Sequence, residues 1–115
     1  MAYLALTVED VVINKWELKD EVVILGRTKD CDIQIDDQSV SSKHARIVLE
    51  ADPYFADNKV AYLEDLKSTN GTLLNGKTIV REKLNDGDSV KIGFTLFQYI
   101  ENQDNGLDET AVILT

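Results

Sequence analysis

The chain predicts an all-β fold of two packed sheets, and three features of its 115 residues carry that expectation. Short apolar runs alternate with turn signals at close spacing. The 3.6-residue periodicity of an amphipathic helix is almost nowhere present. Asn70-Gly71 and Asn75-Gly76 sit five residues apart, and Asn-Gly steps favour tight turns because both residues tolerate positive φ.

Taken in order, Leu4, Leu6 and Val8 alternate with small or polar neighbours and read as a first strand. Val11-Val12-Ile13 and Trp16 follow after Glu9-Asp10. Val22-Val23-Ile24-Leu25 is a continuous apolar run suited to a central strand covered on both faces, and Gly26 ends it. Ile33 and Ile35 flank Gln34 in a brief strand, and Ala45, Ile47 and Leu49 alternate with charged residues in a longer one that Asp52-Pro53 breaks. Lys59 to Leu66 carries Val60, Tyr62 and Leu66 on one face and Leu63 on the other. Asn75-Gly76, between Leu73-Leu74 and Lys77-Thr78-Ile79, reads as a two-residue hairpin; Asp86-Gly87-Asp88, Val90 to Gly93 and Leu96 to Ile100 then complete ten or eleven strands. From Glu101 the sequence turns polar, so residues 1–101 are expected to form one domain and residues 102–115 a flexible C-terminal tail.

Composition narrows the function. A chain of this length buries a core without disulfides or metals. Twenty-one acidic against twelve basic residues give a formal charge of −9, which opposes nucleic acid and anionic lipid. No apolar stretch is long enough to cross a bilayer, and the single cysteine, Cys31, cannot form an internal bridge; a reducing cytoplasm is the expected compartment.

The chemistry gathers in three loops at predicted strand ends: Gly26-Arg27, Ser41-Ser42-Lys43-His44, and Ser68-Thr69-Asn70-Gly71. Loops at one end of a sandwich can converge on one ligand. A guanidinium, several hydroxyls, an amide and a lysine suit a tetrahedral oxyanion, the arginine supplying a bidentate fork.

Gly26-Arg27, Ser41-x-x-His44-Ala45, Ser68-Thr69-Asn70-Gly71-Thr72 and Asn75-Gly76, in this order and spacing, resemble the signature of the forkhead-associated (FHA) domain, and the likeness runs from about Val22 to about Ile100. The resemblance implies an eleven-stranded β-sandwich of two twisted sheets, with binding loops at one end that take phosphothreonine peptides. It implies no catalysis and no cofactor. The partner would be a phosphothreonine-containing protein, with a Ser/Thr kinase upstream. Carried over by residue, Arg27, Ser41 and Thr69 would contact the phosphate and Asn70 the peptide main chain. Ser42 stands where family members often carry Arg or Asn, leaving one fewer strong phosphate ligand, and Lys43 beside it is the candidate to compensate. Gly26, His44, Gly71, Asn75 and Gly76 would support the site structurally. In the tail, Thr110 has acidic Asp108-Glu109 before it and aliphatic Ile113 three places after it, which makes it a candidate phosphosite for binding a neighbouring copy.

Other readings have weaker support in the residues. Asp30, Asp32, Asp36 and Asp37 lack the spacing and closing glutamate of an EF-hand, so they read as a solvated acidic loop and no metal is expected. Ser41 and His44 suggest a hydrolase only superficially, since no Gly-x-Ser-x-Gly elbow accompanies them. Cys31 lies between two aspartates, which raise a thiol pKa, and so reads as a small packing residue. A degenerate FHA-like sandwich that binds a protein without phosphate is the alternative that the serine at position 42 supports.

Overall fold

A computed structural model describes residues 2–55 and 58–101. The strands are β1 (Ala2–Val8), β2 (Val11–Glu17), β3 (Val22–Gly26), β4 (Ile33–Gln34), β5 (Ala45–Ala51), β6 (Lys59–Asp65), β7 (Thr72–Leu74), β8 (Lys77–Ile79), β9 (Arg81–Lys83), β10 (Ser89–Ile92) and β11 (Thr95–Glu101). Eleven strands, as the sequence predicts, form a six-stranded sheet ordered β2-β1-β11-β10-β7-β8 and a five-stranded sheet ordered β4-β3-β5-β6-β9. Every pairing is antiparallel except β3 with β4.

The core lies between the sheets. Alternation turns Leu4, Phe97, Tyr99, Val90 and Ile92 inward from one sheet and Val23, Leu25, Ala45, Ile47, Ala61 and Leu63 inward from the other. Trp16 closes one flank, its ring centroid 6.0 Å from that of Phe97 at a tilted 60°. Each fully buried aliphatic side chain contributes about 1.5–3 kcal/mol by leaving water, against about 1–2 kcal/mol for ordering the backbone of one residue.

One expectation is corrected. β3 is not covered on both faces: Val23 and Leu25 point into the core, whereas Val22 is 39% exposed and Ile24 half-buried. A two-layer sandwich covers each sheet on one face only, and the continuous apolar run hid that alternation. In β6 the face bearing Leu63 and Ala61 is the core face, while Tyr62 lies on the outer face under the Arg81 guanidinium, 4.1 Å from its ring centroid.

β2 is a free edge. Val11, Val12 and Ile13 are all exposed, and the register with β1 shifts between Leu6 and Thr7. The Lys15 N–H bonds to its neighbour Asn14 Oδ1 at 2.8 Å.

Register places the loops. Leu25 pairs with Ala45 and Ala45 with Asp65, while Ile92 pairs with both Thr72 and Thr95. The end of β3, the start of β5 and the end of β6 therefore stand level, and the Thr72 Oγ1 bond to Asp65 Oδ1 at 2.8 Å brings the start of β7 beside them. Ala2 pairs with Glu101 at the other end. The Asn75-Gly76 hairpin forms as expected, with φ of 51° and 85° and Leu74 paired with Lys77, but it sits at the end of β7 away from the three loops. Its own partners are in the β10 region: Asn75 Nδ2 donates to Asp88 Oδ1 at 3.0 Å, and Ser89 N donates to Asn75 Oδ1 at 2.9 Å. Asn75 and Gly76 thus hold the β7–β10 frame and support the site only through it.

Asn75→Ala should destabilise the fold by about 2 kcal/mol, combining left-handed strain with lost side-chain bonds. Asn75→Gly, which keeps the φ, should cost about 1 kcal/mol. Urea unfolding of both variants checks the order.

Candidate phosphate-binding loops

The β3–β4 and β4–β5 loops are pressed together at Gly26. A Cβ there would lie 2.2 Å from Ser42 O and 2.9 Å from Lys43 Cα, both backbone atoms, so only glycine fits. The close approach lets Arg27 N–H bond to both Ser41 O and Ser42 O at 3.1 Å. Cys31 is buried against the same carbonyl, its Sγ 3.1 Å from Ser42 O.

The Arg27 side chain is exposed and braced by one bond, from Nε to Val40 O at 2.9 Å. Among the described residues no carboxylate pairs with it, and its two terminal nitrogens have no protein partner. Bracing through Nε while both Nη groups remain open leaves the guanidinium fork available to a bidentate anion.

His44 ties the second loop to the third. It is 0% exposed; its Nδ1 accepts from Ser41 N at 3.0 Å, and its Nε2 lies 2.8 Å from Gly71 O. A backbone N–H can only donate and a carbonyl can only accept, so the ring is the neutral tautomer protonated on Nε2. Gly71, with φ of 85°, turns the third loop so that its carbonyl meets the ring. Gly26, His44 and Gly71 thus hold the three loops against one another.

The two loops meet again at the exposed end of the sandwich. Thr69 N donates to Ser41 Oγ at 3.0 Å, which leaves the Ser41 hydroxyl proton free to donate onward. The Thr69 and Ser42 hydroxyls are exposed and make no bond among the described residues. Asn70 Nδ2 donates to Ser39 O at 2.8 Å. Lys43, whose direction the sequence left open, reaches Asp30 at 3.5 Å, with both side chains more than half exposed. The ammonium thus stands at the rim of the β3–β4 loop. Thr110 and the tail lie outside the described residues.

Sequence reasoning missed the carboxylate under the third loop. Asp65 accepts from Ser68 Oγ, from Ser68 N at 3.2 Å and from the buried Thr72 Oγ1 at 2.8 Å, while Ser68 Oγ accepts from Gly71 N at 3.0 Å. Partial burial pushes the Asp65 carboxyl up, but the bonds from the Ser68 hydroxyl, Thr72 hydroxyl and Ser68 N–H outweigh it and hold it below the usual range. The signal was the Asp-x-x-Ser spacing, which suits a side-chain cap over a turn. Ser68 is consumed by this turn and is no ligand.

These contacts separate structural from ligand roles. His44→Ala should cost about 3 kcal/mol, since it opens a cavity and orphans Ser41 N–H and Gly71 O; Ser41→Ala should cost about 1 kcal/mol. Thermal melts of the pair test the difference. Because the Asp65 carboxyl is depressed in the folded chain, its stabilisation is complete above its ordinary pKa of 3.8 and is lost as pH falls through the depressed value. Asp65→Asn should therefore flatten the loss of stability that wild type shows on acidification below about pH 4, as read by denaturant midpoints.

Comparison with known proteins agrees with this geometry. A model of the FHA domain matches residues 23–93. FhaA of Mycobacterium tuberculosis is 32% identical over 90 residues, covering 78% of this chain and 16% of FhaA. FhaB of the same organism is 30% identical over 97 residues, covering 84% of this chain and 58% of FhaB, so the chain spans less than two thirds of either relative. A solved FHA domain, studied for phosphothreonine-dependent interactions, superposes with a TM-score of 0.75 at 29% identity, covering 88% of this chain and 96% of its own. With most of the sandwich inside the matched span, the chain belongs to the FHA domain family.

Proposed function

We propose that this chain is a phosphothreonine-peptide-binding module that acts downstream of a Ser/Thr kinase. The observation that carries the reading is the Arg27 guanidinium, braced through Nε and unpaired with any carboxylate among the described residues, in a chain of net charge −9. A guanidinium held by Nε with both Nη groups open is suited to a bidentate anion, which exposed lysines without a brace are not. The Ser41 and Thr69 hydroxyls, joined by the Thr69 N–H to Ser41 Oγ bond, supply neutral donors beside it. Asn70, with Nδ2 on Ser39 O, keeps Oδ1 free to accept a peptide N–H. Ser42 and Lys43 flank the phosphate position, and Lys43 must exchange Asp30 for the ligand to contribute. The FHA domain superposed above, described for phosphothreonine-dependent interactions, supports the same ligand class.

A binding role also suits the lone histidine. His44 is fully buried with both ring nitrogens committed, so it is not placed to serve as a general base. Residues 1–101 make up the module under this reading, and no cofactor or metal takes part. Among the described residues no helix is long and apolar enough to cross a membrane. The cytoplasm, where a Ser/Thr kinase would supply the phosphothreonine, is the compartment the reading assigns.

A second reading, contact with a protein partner without phosphate, is favoured by the exposed apolar residues Val11, Val12, Ile13 and Phe94. An oriented phosphothreonine peptide library, with an unphosphorylated twin of the selected peptide, separates the two. Equal binding of both twins would favour the second.

Arg27→Ala should weaken the selected phosphopeptide about 10- to 150-fold by removing charge-assisted bonds worth roughly 1.5–3 kcal/mol. Its melt should fall only slightly, through loss of the bond to Val40 O. Undiminished affinity in calorimetry would remove Arg27 from the site. Phosphoserine in place of phosphothreonine should bind about fourfold more weakly if one methyl is buried, at about 0.8 kcal/mol.

A further inference from the structure

The β4–β5 loop contains a carboxylate, Asp37, that the phosphopeptide reading above does not use. Asp37 Oδ1 accepts from Ser39 N at 2.8 Å and Ser39 Oγ at 2.7 Å, while Oδ2 accepts from Phe94 N at 3.1 Å. The turn between β10 and β11 is pressed onto the same residues. A Cβ at Gly93 would lie 2.5 Å from Ser39 Oγ, 2.8 Å from Val40 Cγ2 and 2.9 Å from Asp37 Oδ2, and its φ is 63°. Asp37 therefore clamps Ser39 against the end of the six-stranded sheet, and Ser39 O is the atom that receives Asn70 Nδ2 at 2.8 Å.

That last contact fixes an orientation. A carbonyl oxygen can only accept, so Asn70 must turn its amino group toward Ser39, and its Oδ1 must face away. We propose that Asp37 is a positioning residue for ligand binding, acting through Ser39 to hold the Asn70 amide with its acceptor oxygen toward the ligand. This rests on the phosphopeptide reading above and adds to it a residue that need not touch the peptide. If Ser39 is released, the Asn70 amide is free to rotate, and the bound state must then order it anew. The Ser39 hydroxyl, the Ser39 N–H and the Phe94 N–H hold the Asp37 carboxyl below its usual range, in keeping with an ionised clamp at neutral pH.

A double-mutant cycle on the peptide selected from the library tests the proposal, using Asp37→Ala, Asn70→Ala and the double variant. Asp37→Ala should weaken binding about 3- to 10-fold when Asn70 is present and less than about twofold when it is absent. Equal losses in both backgrounds would overturn the proposal, because a merely structural role for Asp37 does not depend on Asn70. Asp37→Asn guards against misfolding of the alanine variant. It keeps one oxygen for Ser39 and presents an amino group to Phe94, so its loss should be intermediate. In the ligand-free protein, the Asn70 side-chain amide resonances should shift and exchange faster in Asp37→Ala; unchanged resonances would also overturn the proposal. If wild type binds no phosphopeptide, the phosphopeptide reading fails by itself, and the amide resonances still decide whether Asp37 holds Asn70.

Discussion

The site depends on one buried imidazole. His44 spans the second and third loops with a bond at each ring nitrogen, to Ser41 N and Gly71 O, and its own backbone continues the ladder through His44 N to Leu25 O and Leu66 N to His44 O. One residue thus joins the ends of β3 and β6 by its backbone and the two loops by its side chain. Full burial makes each of those bonds obligatory, since no water stands ready to replace a lost partner. The surface bond from Thr69 N to Ser41 Oγ gains its geometry from the frame beneath.

The acidic chain keeps an open cation by giving its nearby acids other partners. Asp30 takes the Thr28 hydroxyl and Lys43, Asp32 takes Ile24 N, and Asp37 takes Ser39 and Phe94. On the outer face of the five-stranded sheet, Glu64 binds Arg46 and Arg81, and Arg81 reaches on to Glu50. Of these, the Arg81–Glu50 pair is exposed on both sides and contributes little stability by itself. These pairings satisfy the acids locally, and among the described residues none of the ion pairs involves Arg27.

Much of this was legible in the sequence because turn chemistry and alternation are local. Asn75-Gly76 has one favoured backbone, and Ala45-Ile47-Leu49 can present only one apolar face. The loop residues Arg27, Ser41, Thr69 and Asn70 were legible as a set through their resemblance to a family pattern, and the structure brings their loops together. Tertiary contacts were not legible in the same way. The exposure of Val22 depends on what fails to cover it, and the direction of Lys43 depends on Asp30 across a different loop. Asp37 looked like a solvated acid and Asp65 drew no reading, because acceptors for backbone N–H groups cannot be told from surface charge by composition. Their Asp-x-Ser and Asp-x-x-Ser spacings were the available clue.

The β2 edge has a consequence for how the chain keeps to itself. Three exposed β-branched residues on an edge strand, paired on one side only among the described residues, would ordinarily recruit the strand of another molecule. Leu18 N bonds to Ala2 O, so the alternation of the ladder turns the Lys15 N–H outward, and Asn14 Oδ1 occupies that N–H. Lys15 itself folds over the Tyr3 ring at 4.9 Å, and the register shift twists the run away from a straight template. An incoming strand would have to displace a bond already made and meet a bent edge, so pairing along β2 is disfavoured at the backbone while the valine side chains stay uncovered.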